Sequence, residues 1–499
     1  MERAYYLGLD QGTTGETALL LDREMHVIAR GYHEHRQYFP KPGWVEHEPQ
    51  EILDSLLLAA EQAMRSANVR WEQIRCIGLA NQGETCLMWD RETGEPVYPA
   101  IVWQDRRTSS AADELARQHR DEIQRRTGLI VDGYFSATKF QWIMDNVPLV
   151  RQRIDAGQLL AGTLDSWLVW KLTGGRQHVT DCATASRTML FNIHEKRWDS
   201  VLLELMGVPE EILPRVCECA GDFGATLPEY TGGVSVPICG LIVDQQAALY
   251  AQNCFTSGSA KVTYGTGCFM LMNVGQTPVV SRNGLLTSVA WQLRGETVYA
   301  LDAGIYVAGA AIQWLKNQMG LIQSAADTEA MALRTRDNGG VYFVPAFSGL
   351  AAPHWDQYAR GTIVGLTGGT TREQLVRATL ESIAYQVSDN LQVMRGDSGI
   401  PIERIRVDGG MVCNRFLMQF QADILGIPVE VPAVFDTTAM GAARMAALGL
   451  GDIPGPYAMP DEPVKNYYEP RMSQDERSQL LGQWERAVQC AMHWAGPNK

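Results

Sequence analysis

"LGLDQGTTGETALLL", residues 7–21, reads as two short apolar strands joined by a polar turn bounded by glycines. Residues 5–10, 17–21 and 27–35 are expected as strands of an antiparallel meander. The first strand delivers the Asp10 carboxylate to the turn Gly12-Thr13-Thr14-Gly15. Successive N–H groups of such a turn can cradle a phosphate oxygen, and Thr13 and Thr14 add hydroxyls. Asp10 is then placed to hold a metal–water cluster on that phosphate. An ordinary hairpin turn would explain the same residues if they stood alone.

They do not stand alone. "KVTYGTGCFMLM", residues 261–272, is a second hairpin with a Gly-Thr tip at Thr266. Each hairpin is followed by a later strand that runs into a polar or glycine-rich loop: "IGLANQGET" (77–85) and "IRVDGGMVCN" (405–414). A duplicated α/β unit follows, with mixed sheets flanked by helices. Two such tips could grip one polyphosphate from both sides.

Helices are expected at 49–67, 109–126, 138–146, 158–172, 244–252, 303–319, 371–395, 411–425 and 437–450. Pro49 suits a first helical turn, Thr371 and Gln374 form a capping box, and the small residues of 437–450 permit close packing. The 499 residues are too many for one core, so two domains of about 250 residues are expected, split at 247/248. No apolar run reaches the ~18 residues that cross a bilayer. The ten cysteines carry no C-x-x-C pair, which fits reduced thiols and a cytoplasmic setting. A net charge of −14 argues against nucleic-acid or anionic-membrane partners. Any phosphate site must therefore be built locally from backbone N–H groups, helix N-termini and a metal.

Other pieces carry chemistry. In "LIVDQQAAL" (241–249) an aspartate, Asp244, ends an apolar strand, where it could serve as a general base or as a helix N-cap. "VDGGMVCNRF" (407–416) lets a flat ligand approach the backbone at Gly410, with Asn414 in the first turn of the next helix. The G-x-G-x-x-G and P-loop spacings are absent. His33 and His35, two apart on a strand, read as a solvated face, and Trp167 to Trp170 as core.

Together these pieces resemble the ribonuclease-H-like actin and sugar-kinase ATPase superfamily, and within it the FGGY carbohydrate kinases, closest to the glycerol kinases. The resemblance covers nearly the whole chain, through stretches such as "LDQGTTG", "YFPKPGWVEHEP", "AIVWQDRRT", "GLIVDQQAALYAQ", "TYGTGCFMLMN" and "VDGGMVCNRFLMQFQADILG". It implies two domains with a cleft that binds ATP, Mg2+ and a small polyol, and a kinase that phosphorylates a terminal hydroxyl of glycerol or a close relative. By the same resemblance Asp244 takes the proton, and Glu84, Trp103, Tyr134, Asp244 and Gln245 hold the polyol. Thr13, Thr14 and Gly15 would hold phosphate from one side and Thr266 from the other, Gly309, Gln313, Gly410 and Asn414 would line the nucleotide, and Asp10 would hold the metal. Family members are often dimers or tetramers.

Three departures stand out. Glycerol kinases carry Asn-Gln-Arg-Glu-Thr where this chain has Asn81-Gln82-Gly83-Glu84-Thr85. Losing a charged donor costs about 1.5–3 kcal/mol, or about 10- to 150-fold in affinity. Gly83 therefore admits a longer, four- or five-carbon polyol or ketose, unless Arg106, Arg107 or a water replaces the donor. An arginine is likewise replaced by Thr17, and a serine by Gly15, which would weaken the grip on ATP; a catalytically weak nucleotide- or polyol-binding regulator is the remaining alternative. The loop Thr231-Gly232-Gly233-Val234-Ser235 lacks the base found where some relatives bind an inhibitory sugar bisphosphate, so that control is expected to be absent.

Overall fold

In the computed structural model, which describes residues 3–460 and 463–496, the first hairpin is the middle of a five-stranded sheet. Its strands are β1 (Tyr5–Gln11), β2 (Gly15–Leu21) and β3 (Val27–Glu34), followed by helix α1 (Pro49–Ser66) and strand β4 (Ile74–Asn81). Strand β5 (Ile238–Val243) completes the sheet in the order β5-β4-β1-β2-β3 and runs directly into α2 (Asp244–Ala251). β1, β4 and β5 are parallel, and β1-β2-β3 is the antiparallel meander. Central β1 is apolar and covered on both faces, as a parallel strand between two layers must be.

The second half repeats the plan. Strands β6 (Ala260–Tyr264), β7 (Cys268–Gly275), β8 (Leu286–Leu293) and β9 (Glu296–Ile305) precede helix α3 (Gly309–Asn317). Helix α4 (Arg372–Ser398), strand β10 (Ile405–Asp408), helix α5 (Arg415–Leu425), strand β11 (Val429–Pro432), helix α6 (Thr437–Leu450) and strand β12 (Val464–Tyr468) follow. The sheet order is β8-β9-β7-β6-β10-β11-β12. β9-β7-β6-β10-β11 reproduces β3-β2-β1-β4-β5 in order and direction. The α/β fold and the repeat expected from the sequence are both present.

Three expected helices are divided. Within 158–172, Leu159–Thr163 is a strand paired with Cys86–Asp90, and the helix begins at Leu164. A Cβ on Gly162 would lie 2.7 Å from Ser166 Cβ, so the turn from strand to helix needs a glycine there. Within 303–319, Ala303–Ile305 end β9 because they pair with Cys268–Met270, and α3 starts at Gly309. Within 411–425, Gly410–Cys413 is a 3-10 turn and α5 starts after its N-cap, Asn414. The capping box of α4 forms as expected, with Gln374 N–H donating to Thr371 Oγ1 at 3.3 Å and Thr371 N–H to Gln374 Oε1 at 3.0 Å. No helix among the described residues is long and apolar enough to cross a membrane, and all ten cysteines are free.

α6, from the second half, lies on the sheet of the first. Gly8, Gly78 and Gly240 stand in register across β1, β4 and β5. A Cβ on each would sit 2.0 Å from Ala439 O, 1.8 Å from Ala442 O and 2.5 Å from Ala446 N, respectively. The glycines form a groove and the alanines of α6 fill it. Arg30 clamps one end through a two-bond pair to Asp436 (2.9 and 3.1 Å). Asp452 clamps the other, accepting from Arg75 (2.6 Å twice) and Tyr6 Oη (2.6 Å).

Overpacking of this kind costs about 1–3 kcal/mol and occasionally more. Gly78→Ala is expected to lower the melting temperature and to cost activity. Gly482→Ala, in the exposed helix Gln474–Ala491 with nothing near its Cβ, is expected to stabilise by about 0.5–1 kcal/mol. Thermal unfolding of both variants checks the pair.

Candidate active site

β1, β4 and β5 are parallel, so their C-terminal ends lie on one edge of the sheet, the edge where open α/β sheets bind ligands. Asp10, the polar cluster 81–85 and Asp244 all sit on that edge. The Gly12–Gly15 turn closes tightly: Cβ atoms on Gly12 and Gly15 would each lie 2.6 Å from a backbone oxygen, of Gly15 and His33 respectively. The Gly15 position is thus set by the approach of β3. Thr13 Oγ1 accepts the Trp103 indole N–H at 2.9 Å, and Thr14 is exposed.

Glu84 is the centre of a tight turn closed by Thr85 N–H donating to Gly83 O at 2.6 Å. Its φ of +60° is costly for a non-glycine residue and is over-determined by its surroundings. Its carbonyl accepts Ser136 Oγ at 2.9 Å and faces Lys139 Nζ at 3.5 Å. Its buried carboxylate accepts Arg187 Nε at 2.6 Å. Burial raises the Glu84 pKa to about 6, against the pull of Arg187. Tyr134 and Phe269 pack edge-on against Trp103 at 5.7 and 6.1 Å, so an aromatic wall joins the first Gly-Thr turn to the second hairpin.

Asp244 is the first residue of α2, with Val243 as N-cap. Its Oδ1 accepts Gln245 N–H at 2.7 Å. Burial raises its pKa, opposed by the Gln245 bonds and by the charges of Lys261 and Arg187. Asp10 is pushed well above the carboxylate range by burial and then by the charges of Asp244 and Glu16. Lys261, on β6 and wholly buried, donates to Gln245 Oε1 and to Thr263 Oγ1 (2.9 Å). Arg187 also pairs with Asp302 of β9 at 3.0 Å. Alternating charges thus cross between the halves: Glu84, Arg187, Asp302, Lys261, then Gln245 and Asp244.

On the opposite wall Thr266 accepts the N–H groups of Ala308 (2.9 Å) and Ala310 (3.0 Å) on its carbonyl, which seats the second tip on the start of α3. Gly309 is 2.6 Å from Gly265 O if given a Cβ, so the same contact requires a glycine. Gln313 follows one turn later and is exposed. Gly409 has φ +90°, and space beside Gly410 is open. Asn414 is committed locally: Oδ1 caps α5 through Leu417 N–H (3.0 Å) and Nδ2 donates to Thr328 Oγ1 (3.0 Å).

Several expectations are corrected. Neither Arg106 nor Arg107 stands beside Gly83. Arg106 pairs with Asp132 at 2.9 Å, and Arg107 is held by Glu46 and Asp105 under Trp44. A Cβ on Gly83 would meet Val243 Cγ2 at 3.1 Å and Arg187 Cγ at 4.0 Å, so the arginine side chain passing this spot is Arg187, whose Nε is bonded to Glu84. The solvated face expected for His33 and His35 holds for His33, which is exposed, but not for His35, whose side chain is fully buried 2.9 Å from Glu16 Oε1. The ligand atoms of Asp181, Cys182 and Cys219 lie within 4.8 Å of one another, a grouping that no C-x-x-C spacing announces. Asp181 is already occupied in capping Ala183 and Thr184. The sequence does not single out Arg187, Asp302 or Lys261, because the partners of each lie far along the chain.

Two family models match the chain in succession. The model of the FGGY family of carbohydrate kinases, N-terminal domain, matches residues 5–251, and that of the C-terminal domain matches residues 260–450. The chain is 50% identical to Glycerol kinase 2 of Thermotoga maritima over 98% of its length and 99% of that protein. It is 51% identical to Glycerol kinase of Carboxydothermus hydrogenoformans, covering 99% of each. The crystal structure of Plasmodium falciparum glycerol kinase with ADP superimposes with a TM-score of 0.91 at 34% identity over 98% of both chains. Xylulose kinase from Rhodospirillum rubrum, at 23% identity and a TM-score of 0.84, shares the fold.

Removing one partner of a buried ion pair costs about 3–5 kcal/mol. Arg187→Met is therefore expected to lower the melting temperature and to raise KM for the polyol more than KM for ATP. Because the raised Glu84 carboxyl takes up its proton near pH 6 and then loses the Arg187 pair, kcat/KM for the polyol should fall as pH drops through about 6. A pH–rate profile checks this.

Proposed function

Because the chain belongs to the FGGY family of carbohydrate kinases, we propose that it transfers the γ-phosphoryl group of ATP to a terminal hydroxyl of glycerol. The observation that carries this is the single edge on which Asp10, Glu84, Trp103 and Asp244 meet the two Gly-Thr hairpins. The protein is an ATP-dependent phosphotransferase, and its chemistry is mostly positioning and charge neutralisation. The polyol hydroxyls are held by Glu84, Tyr134, Gln245 and Asp244, with the carbon chain against Trp103. Asp244 accepts the proton of the attacking hydroxyl; burial keeps its pKa raised and its basicity useful. Thr13 and Thr14 hold phosphate from one half and Thr266 from the other, while Gly309, Gln313, Gly410 and Asn414 border the nucleotide.

Mg2+ supplies charge neutralisation on the phosphate oxygens. The residues suit a hard cation: the Asp244 charge adds to burial in raising the Asp10 carboxyl, and both offer oxygen donors. Asp10 would hold it. Residues 1–247 would then carry the polyol pocket and first phosphate turn, and residues 248–499 the nucleotide face. We place the enzyme in the cytoplasm as a homo-oligomer.

A four- or five-carbon polyol or ketose is the second reading. Its support is Gly83, which offers no side chain where glycerol kinases carry an arginine, although a Cβ there would crowd Val243 Cγ2 at 3.1 Å. ATP consumption against glycerol, erythritol, threitol, xylitol, ribitol and xylulose separates the two, with Gly83→Arg beside it. Glycerol should win. A longer acceptor that yields to glycerol in the variant would establish the second reading. Asp244→Asn should lower kcat by about 10²- to 10⁴-fold with every acceptor.

A further inference from the structure

We propose that the buried Glu16–His35 pair is a positioning device for the nucleotide: it holds the Gly12–Gly15 turn in shape and, by sharing one proton, removes the negative charge that Glu16 would set behind the bound phosphates. The proposal rests on the reading of that turn as a phosphate site.

Two braces grip the Gly12 peptide. Its N–H donates to Glu16 Oε2 at 3.1 Å. Its carbonyl accepts Gln11 Nε2 at 2.7 Å and Gln82 Nε2 at 3.3 Å. Glu16 Oε1 lies 2.9 Å from His35 Nδ1, and Gln82 Nε2 lies 3.3 Å from His47 Nδ1. The two imidazoles meet edge to face at 4.6 Å. β2, the end of β3, the short strand Glu46–His47 and the end of β4 thus converge under one turn. The Gly12 N–H is turned inward, so Thr13, Thr14 and Gly15 carry the amides left for a ligand.

The cluster is shielded from solvent and incompletely bonded. Glu16, His47 and the His35 side chain are fully buried; Glu16 Oε1 and His35 Nδ1 meet at ion-pair distance without the angles of a hydrogen bond, and Nε2 of both histidines has no hydrogen-bond partner. Buried polar atoms left this way call for a reason. Burial drives Glu16 well above the carboxylate range and His35 below the imidazole range. His47 is driven to about 3 by burial and then by His35, so it stays neutral. The groups facing Glu16 are Gly12 N–H, Gln11 and His35, with the charge of Asp10 beyond; those facing His35 are Glu16, His47, Glu51 and the Thr13 backbone. None of these is a cation apart from His35 itself. One proton on the pair leaves it neutral overall. Its loss leaves a bare carboxylate behind the turn, which opposes a polyphosphate.

The test is calorimetric titration of MgADP into the protein from neutral to alkaline pH, in buffers of different ionisation enthalpy. Wild type should bind about tenfold more weakly once the shared proton is lost, in the ordinary range for coupling between two sites, and should take up protons on binding there. Glu16→Gln should show no such pH dependence. His35→Phe should bind more weakly at neutral pH, and Glu16→Gln/His35→Phe should restore binding, which a purely structural role would not allow. If His35→Phe fails to fold, Glu16→Gln decides alone. Wild-type binding that ignores pH, or a Glu16→Gln profile equal to wild type, overturns the proposal. No MgADP binding at any pH overturns the phosphate-turn reading and the proposal with it.

Discussion

The two halves are joined where three glycines in register, Gly8, Gly78 and Gly240, receive the alanine face of α6. Every other feature of the cleft depends on that contact. α6 belongs to the second half by sequence, yet it is clamped to the first by Arg30–Asp436 and by Arg75 and Tyr6 on Asp452. Its Gly441 in turn lets α2 approach, a Cβ there being 2.1 Å from Ala247 O. α2 begins with Asp244. The position of the proposed base is thus set by backbone-to-backbone packing, which is rigid because close-packed interiors do not deform gradually.

Charge is the second constraint. The chain carries a net −14, and it collects Asp10, Glu84, Asp244 and Asp302 at the cleft. Against them stand three buried cations, Lys139 and Arg187 from the first half and Lys261 from the second. Unpaired buried carboxylates are expensive, and the alternating order of signs is what makes the cluster tolerable. The remaining excess of negative charge lies at Asp10 and Asp244, where a divalent cation would relieve it.

Much of this was legible in the sequence because it is local. The Gly-Thr turns, the capping box at Thr371, the small-residue helix 437–450 and the strand-end Asp244 are all patterns within a few residues. What could not be read depends on partners far along the chain. Leu159–Thr163 is a strand because Cys86–Asp90 lies beside it, although its own pattern continues into a helix. Arg187 acquires meaning only through Glu84 and Asp302, 103 residues away in one case. His35 resembles a surface residue until Glu16 and His47 are folded onto it. The bond from Asn414 Nδ2 to Thr328, 86 residues away, is equally invisible in the sequence.

The central claim is that one cleft joins a polyol to ATP and moves a phosphoryl group onto a terminal hydroxyl. Phosphorus NMR of the products formed from ATP, Mg2+ and glycerol tests it most directly. The account predicts ADP and a primary phosphomonoester of glycerol in equal amounts. ADP with inorganic phosphate alone, or no turnover of ATP in the presence of glycerol, would contradict it.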